Sequence, residues 1–132
     1  MENKAYSSLP LYKNSLVLRD LSNALSYYFT SESQACTPKT MGLRAVIAES
    51  LVTDASLLPL TIEEVYKSSS LNNRLKSATF INIITRNIIS YCNGLEKDGV
   101  KEREYIQLLR KELKTFRKSF KKWRKSLMND PF

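Results

Sequence analysis

Apolar residues recur every three or four positions through four successive stretches of about 20 residues, and very little interrupts them. That period fits one face of an α-helix and not a strand, whose side chains alternate. Only three Gly and four Pro punctuate 132 residues, so the elements must be few and long. At 42% hydrophobic, the chain can bury a core and is too apolar to be disordered. Its length suits one domain over residues 1–132, with residues 1–9 and 128–132 expected as flexible ends.

The pattern predicts a first helix over 10–30, with Ser8 as its cap, Pro10 in its first turn and Val17, Leu18, Leu21, Leu25 and Tyr28 on its apolar side. A polar loop covers 30–39. Thr37-Pro38 opens a second helix with Leu43, Ile47, Leu51, Ala55 and Leu58 as its stripe, and Pro59 lies near its end. Thr61-Ile62-Glu63-Glu64 reads as a capping box for the third helix, which runs as far as Cys92 before Asn93-Gly94. Ser68-Ser69-Ser70 offers a later start near Leu71. After Glu96-Lys97-Asp98-Gly99, a fourth helix covers about Lys101 to Leu127. Four such helices with short connections predict an all-α antiparallel four-helix bundle.

Catalytic chemistry finds little support. The chain has no His, which removes the most common general base and the most common zinc ligand. Asp54, Glu63 and Glu64 lie near one turn, but without His or a second carboxylate cluster they make a poor metal site. Cys36 and Cys92 are too few for a disulfide framework and read as free thiols of a reducing compartment. No signal peptide and no run of about 18 consecutive apolar residues is expected. The reading is a soluble, non-catalytic protein with no cofactor and no metal.

The net charge of +8 sits in one place. Residues 101–127 hold 11 basic and three acidic residues, whereas the rest of the chain holds 10 of each. On the fourth helix Tyr105, Leu109, Leu113, Phe116, Phe120, Trp123 and Leu127 share a sector of about 80°. Opposite them run Arg110, Lys114, Arg117, Lys121 and Arg124, widened by Lys111, Lys118, Lys122 and Lys125. Three readings compete for this rod: a nucleic-acid backbone, an anionic membrane or acidic protein surface, and a merely solvated face. The first is favoured, because each neutralised phosphate releases counterions. The membrane is disfavoured, because the apolar stripe belongs inside the bundle. A lack of exposed aromatics points to backbone contact over base stacking. Arg74, Lys76 and Arg86 of the third helix are expected to extend the same surface.

The third helix is apolar on several sides. Counting 100° per residue from Leu71, Leu75, Ala78 and Ile89 fall within about 40°, whereas Phe80, Ile84, Ile88 and Ile81 fall near 180–280°. The second group could be covered by the first helix and the long loop. The favoured expectation is self-association through Phe80, Ile84 and Ile88.

Taken together, Leu11-Tyr12-Lys13, Leu43-Arg44 through Glu49-Ser50-Leu51, the Leu71-to-Ile89 helix with Arg74 and Arg86, Asn93-Gly94-Leu95, and Tyr105, Leu108 and Leu109 before Trp123-Arg124-Lys125-Ser126 form a pattern. It resembles the accessory variability determinant (Avd) proteins of diversity-generating retroelements. Ser119-Phe120-Lys121-Lys122 departs from the family's tendency to small residues before the closing Trp. The resemblance implies a homopentameric barrel of four-helix bundles. It also implies a cytoplasmic, bacterial or phage-encoded protein that binds a reverse transcriptase and its template RNA and supports cDNA synthesis in mutagenic retrohoming. DNA is a further candidate ligand. The nearest alternative is the related four-helix-bundle group encoded in intervening sequences of bacterial ribosomal RNA, an interaction module of obscure role.

Overall fold

The computed structural model describes residues 5–33, 38–101 and 103–129. After a short 3-10 turn (Ala5–Ser8) come α1 (Pro10–Ser33), α2 (Pro38–Val65), α3 (Leu71–Lys97) and α4 (Arg103–Asn129). The described residues contain no strand. Each helix packs against two others: α1 and α3 both touch α2 and α4, so α1 and α3 stand on one diagonal of a four-helix bundle. One core runs through it, with Leu18, Phe29, Leu51, Leu58, Ile62, Ile88, Leu95, Leu109 and Phe116 fully buried. Each such side chain contributes roughly 1.5–3 kcal/mol relative to exposure.

Helix boundaries differ from the sequence expectation in ways that have local causes. The Lys13 amide bonds to the Leu9 carbonyl at 3.1 Å, so Leu9 and not Ser8 flanks α1, with Pro10 at its first position. Residues 5–9, expected to be flexible, include the 3-10 turn, and Tyr6 donates to Glu63 of α2 at 3.2 Å. The outermost expected end residues, 1–4 and 130–132, lie outside the described residues, as do Thr37 and Cys36. At its C-terminal end α1 extends to Ser33, into the expected loop.

α2 continues through Pro59 to Val65. Pro59 removes one backbone hydrogen bond, yet Leu58, Ile62 and Val65 are fully buried on both sides of it, and that burial outweighs a proline cost of about 3 kcal/mol. The expected capping box is therefore inside a helix, where the Thr61 hydroxyl donates to the Leu57 carbonyl at 2.7 Å. The actual cap is Ser70, which accepts from the Asn73 amide at 3.3 Å and starts α3 at Leu71. By length and a mean hydropathy of 1.5, Gly42–Val65 could cross a membrane. Here its Leu51, Ala55, Leu58 and Ile62 stripe is buried against the other helices.

Gly94 does not end α3. It sits within the helix where α2 comes close, and a Cβ there would lie 3.1 Å from Ile47 Cδ1. The stop falls five residues later. Gly99 takes φ +81°, its amide bonds to the Glu96 carbonyl, and the Val100 amide bonds to the Leu95 carbonyl at 3.3 Å. This is a Schellman ending, with both Val100 and Leu95 buried in the core.

The face of α3 that points inward differs most from expectation. Ile81, Ile84, Ile88, Cys92 and Leu95 form its buried stripe, each at most 1% exposed, whereas Leu71 is 50% exposed. Ile84 and Ile88, expected at an interface between copies, belong to the core of a single chain. Only Phe80, 43% exposed, remains on the surface among the three expected interface residues. A helix apolar on several sides gives periodicity no means of choosing the inner one, and Leu71 is the wrong origin from which to count.

Candidate nucleic-acid interface

α4 holds its charges apart from its core because the two repeat on opposite sides of one helix. Leu109, Leu113, Phe116, Phe120, Trp123 and Leu127 are all buried, and Phe116 stacks on Phe120 with ring centroids 6.5 Å apart. The Trp123 indole donates to the Tyr66 hydroxyl at 2.9 Å, which joins α4 to the end of α2. Like charges three or four residues apart disfavour a helix by tenths of a kcal/mol each, and this apolar side offsets them.

On the outer side, Lys114, Arg117, Lys118, Lys121, Arg124 and Lys125 are exposed and border an open groove of about 640 Å³ between α3 and α4. Its apolar lining comes from Ile89, Leu113 and Phe120, and Asn82 adds an amide on the α3 wall. No Asp or Glu occurs between Leu71 and Asn93, so the first α3 acid is Glu96, at the Arg110 end of the groove. Glu112, the acid nearest these cations in sequence, sits seven residues before Ser119, which accepts from Asn14 of α1 at 2.6 Å. That spacing places Glu112 on the α1 side of the helix, away from the groove. A second opening of about 520 Å³ lies on that other side, between Leu9 and Leu11 and α4's Lys118, Lys122 and Trp123.

The structure separates the residues expected to act together. Lys114, Arg117, Lys121 and Arg124 share the groove. Arg86, exposed on α3, lies four residues from Asn82 and three from Ile89 and thus on the groove side. Lys76 is exposed but repeats with Asn87, which bonds to Asp54 of α2 at 3.3 Å, so it belongs to the α2 side. Arg74 is only 8% exposed and donates through Nε to the Val65 carbonyl at 3.4 Å, which makes it a structural residue at the end of α2. Arg110 reaches the groove but is already engaged: it bonds Glu96 at 2.8 Å and Asn93 at 2.9 Å. That hydrogen bond and the Arg110 charge hold the Glu96 carboxyl below its usual range. Arg110 therefore staples α4 to α3 more than it offers charge to a ligand.

Asp54, Glu63 and Glu64, close in sequence, are apart in their bonding. Asp54 accepts from Tyr91 at 2.7 Å, Glu63 from Tyr6, and Glu64 pairs with Lys67 at 3.7 Å. Among the described residues no three His, Cys, Asp or Glu converge. Tyr12 and Tyr28 are half-buried at the bundle surface, Tyr28 edge-on to Tyr105 at 4.5 Å, whereas Tyr27 is 77% exposed. Periodicity puts Ile89 in the core and Asn82 in the same pattern. Their position at the groove becomes visible only once α3 is turned to bury Ile81 and Ile88.

Fold and surface together define an all-helical, four-helix protein with a cationic face along α4. The chain matches no known family, no curated protein and no solved structure.

Proposed function

We propose that this protein is a non-catalytic accessory subunit that binds nucleic acid through phosphate contacts along α4. The observation that carries this reading is the set of six exposed cations, Lys114, Arg117, Lys118, Lys121, Arg124 and Lys125, that border a groove whose one nearby α3 acid, Glu96, is already paired with Arg110. Such an arrangement attracts a polyanion and repels nothing in it. The resemblance to Avd proteins supports the finer reading: the ligand is a template RNA, the protein partner is a reverse transcriptase, and the role is to support cDNA synthesis in mutagenic retrohoming. DNA is bound by the same contacts, since phosphates carry no base identity. A homo-oligomer, pentameric by the same resemblance, would repeat the cationic face around a ring. Leu60 on α2 and Phe80 and Ile83 on α3 are large, exposed apolar residues on adjacent helices and supply its contact surface.

The test is Arg117→Glu combined with Lys121→Glu. Both residues are exposed, so helicity and oligomer size stay as in the parent. Binding to RNA and DNA should weaken together, and the log affinity should fall less steeply with log salt, by about 0.7–0.9 for each phosphate left unneutralised. Unchanged affinity and slope in the double variant would show the rod to be a solvated face. Loss of anionic vesicles with nucleic-acid binding intact would show a membrane role.

A further inference from the structure

We infer that the α3–α4 groove takes a single strand laid lengthwise, with its phosphates along α4 and its bases turned toward Ile89 and Asn82; this rests on the nucleic-acid reading above. The groove has two unlike sides. Lys114, Arg117, Lys121 and Arg124 form a charged edge, while the half-exposed Ile89 gives an apolar floor and Asn82 an amide on the facing wall. A single strand is divided in the same sense, with charged phosphates on one edge and flat, weakly polar bases on the other. A duplex hides its base faces in the stack and has nothing to set against an apolar floor.

Dimensions agree. Packed helix axes lie about 8–10 Å apart, so the furrow between two of them accommodates one strand, and a duplex could touch only its rim. The cations follow one another at three- and four-residue intervals, a rise of roughly 4.5–6 Å, and the span from Lys114 to Arg124 is about 15 Å. That is room for a short run of nucleotides. Phe120, 5% exposed, gives no free aromatic platform. The bases are therefore held by contact with an aliphatic floor, which tolerates any sequence, and Asn82 offers an amide able to pair with a base edge.

Fluorescence polarisation decides this with labelled 12-nucleotide oligo-U and oligo-dT against 12-base-pair RNA and DNA duplexes at equal salt. Single strands should bind about tenfold tighter or more than duplexes, a difference of about 1.4 kcal/mol. The single-strand salt slope should be near −3, the value for about four phosphates. Ile89→Gln should weaken the single strands and leave the duplexes unchanged; Asn82→Ala, at a half-exposed position, serves the same purpose if the first variant folds poorly. Duplexes binding as tightly as single strands, or both variants preserving the preference, would overturn the inference and leave the nucleic-acid reading standing. If no oligonucleotide binds, or an acidic amphipathic peptide occupies the groove instead, both fall.

Discussion

At the scale of single residues, the most consequential contact is an ion pair that joins the start of α2 to the end of α3. Arg44 Nε meets the Asp98 carboxylate at 2.7 Å, and Arg44 Nη2 donates to the Asp98 carbonyl at 3.1 Å. Their side chains are 2% and 8% exposed. Removing one partner leaves the other charged in a dry site, so Arg44→Ala should cost about 3–5 kcal/mol, read as a lower urea midpoint. Arg44→Ala with Asp98→Ala together should cost less than the sum of the two single changes, because neither leaves a buried charge alone. A second prediction concerns alkali. Burial pushes the Cys92 thiol up from 9.0 to about 11. Burial, with the Asp54 carboxylate beside it, pushes Tyr91 from 10.0 to about 12. The unfolded chain releases these protons first, so the stability they contribute is complete below about pH 9 and is lost as pH rises through 11 and 12. Urea midpoints from pH 8 to 11 should decline, and Cys92→Ala should decline less steeply over that range.

At the scale of elements, Gly99 does what Gly94 was expected to do. Its φ of +81° suits glycine alone among ordinary residues, and it turns the chain from α3 toward α4 while the Val100 and Glu96 groups close the helix end. Gly99→Ala has open space for its methyl but the wrong backbone, so it should cost about 1–2 kcal/mol. Calorimetry would check this, and an unchanged melting temperature would show that the turn relaxes freely. Gly94 and Pro59 illustrate the opposite case. Both types usually end helices, yet each lies within one here, because packing of the residues around it outweighs local preference. The local signals are real, and their strength is smaller than the burial they meet.

At the scale of the whole molecule, the turn of α3 decides which surface is left for partners. Ile84 is 1% exposed, so Ile84→Glu should unfold the chain instead of separating intact copies. Phe80→Glu with Ile83→Glu places both charges at positions 43% and 47% exposed and should leave helicity intact. In an oligomer formed through this surface, light scattering would report the mass falling to that of one chain. An unchanged mass would exclude Phe80 and Ile83 from the contact. The same rotation that buries Ile81 and Ile88 brings Asn82 and Ile89 to α4, so apolar core and cationic groove are fixed by a single packing choice.

Residue spacing alone dictates the number of helices, the near-complete course of α1 and α4, and the division of α4 into a buried stripe and a cationic side. Those features follow from intervals along one helix, which periodicity records directly. The same intervals put four of the groove's cations, Lys114, Arg117, Lys121 and Arg124, on one line. The inner side of α3 was not legible in this way, since that helix is apolar in several directions and its neighbours select among them. Nor was it legible which cations are already engaged: Arg74 finds Val65, Arg110 finds Glu96 and Arg44 finds Asp98, partners nine, 14 and 54 positions away in sequence. Charge can be counted along a chain, but its availability depends on what folding brings beside it.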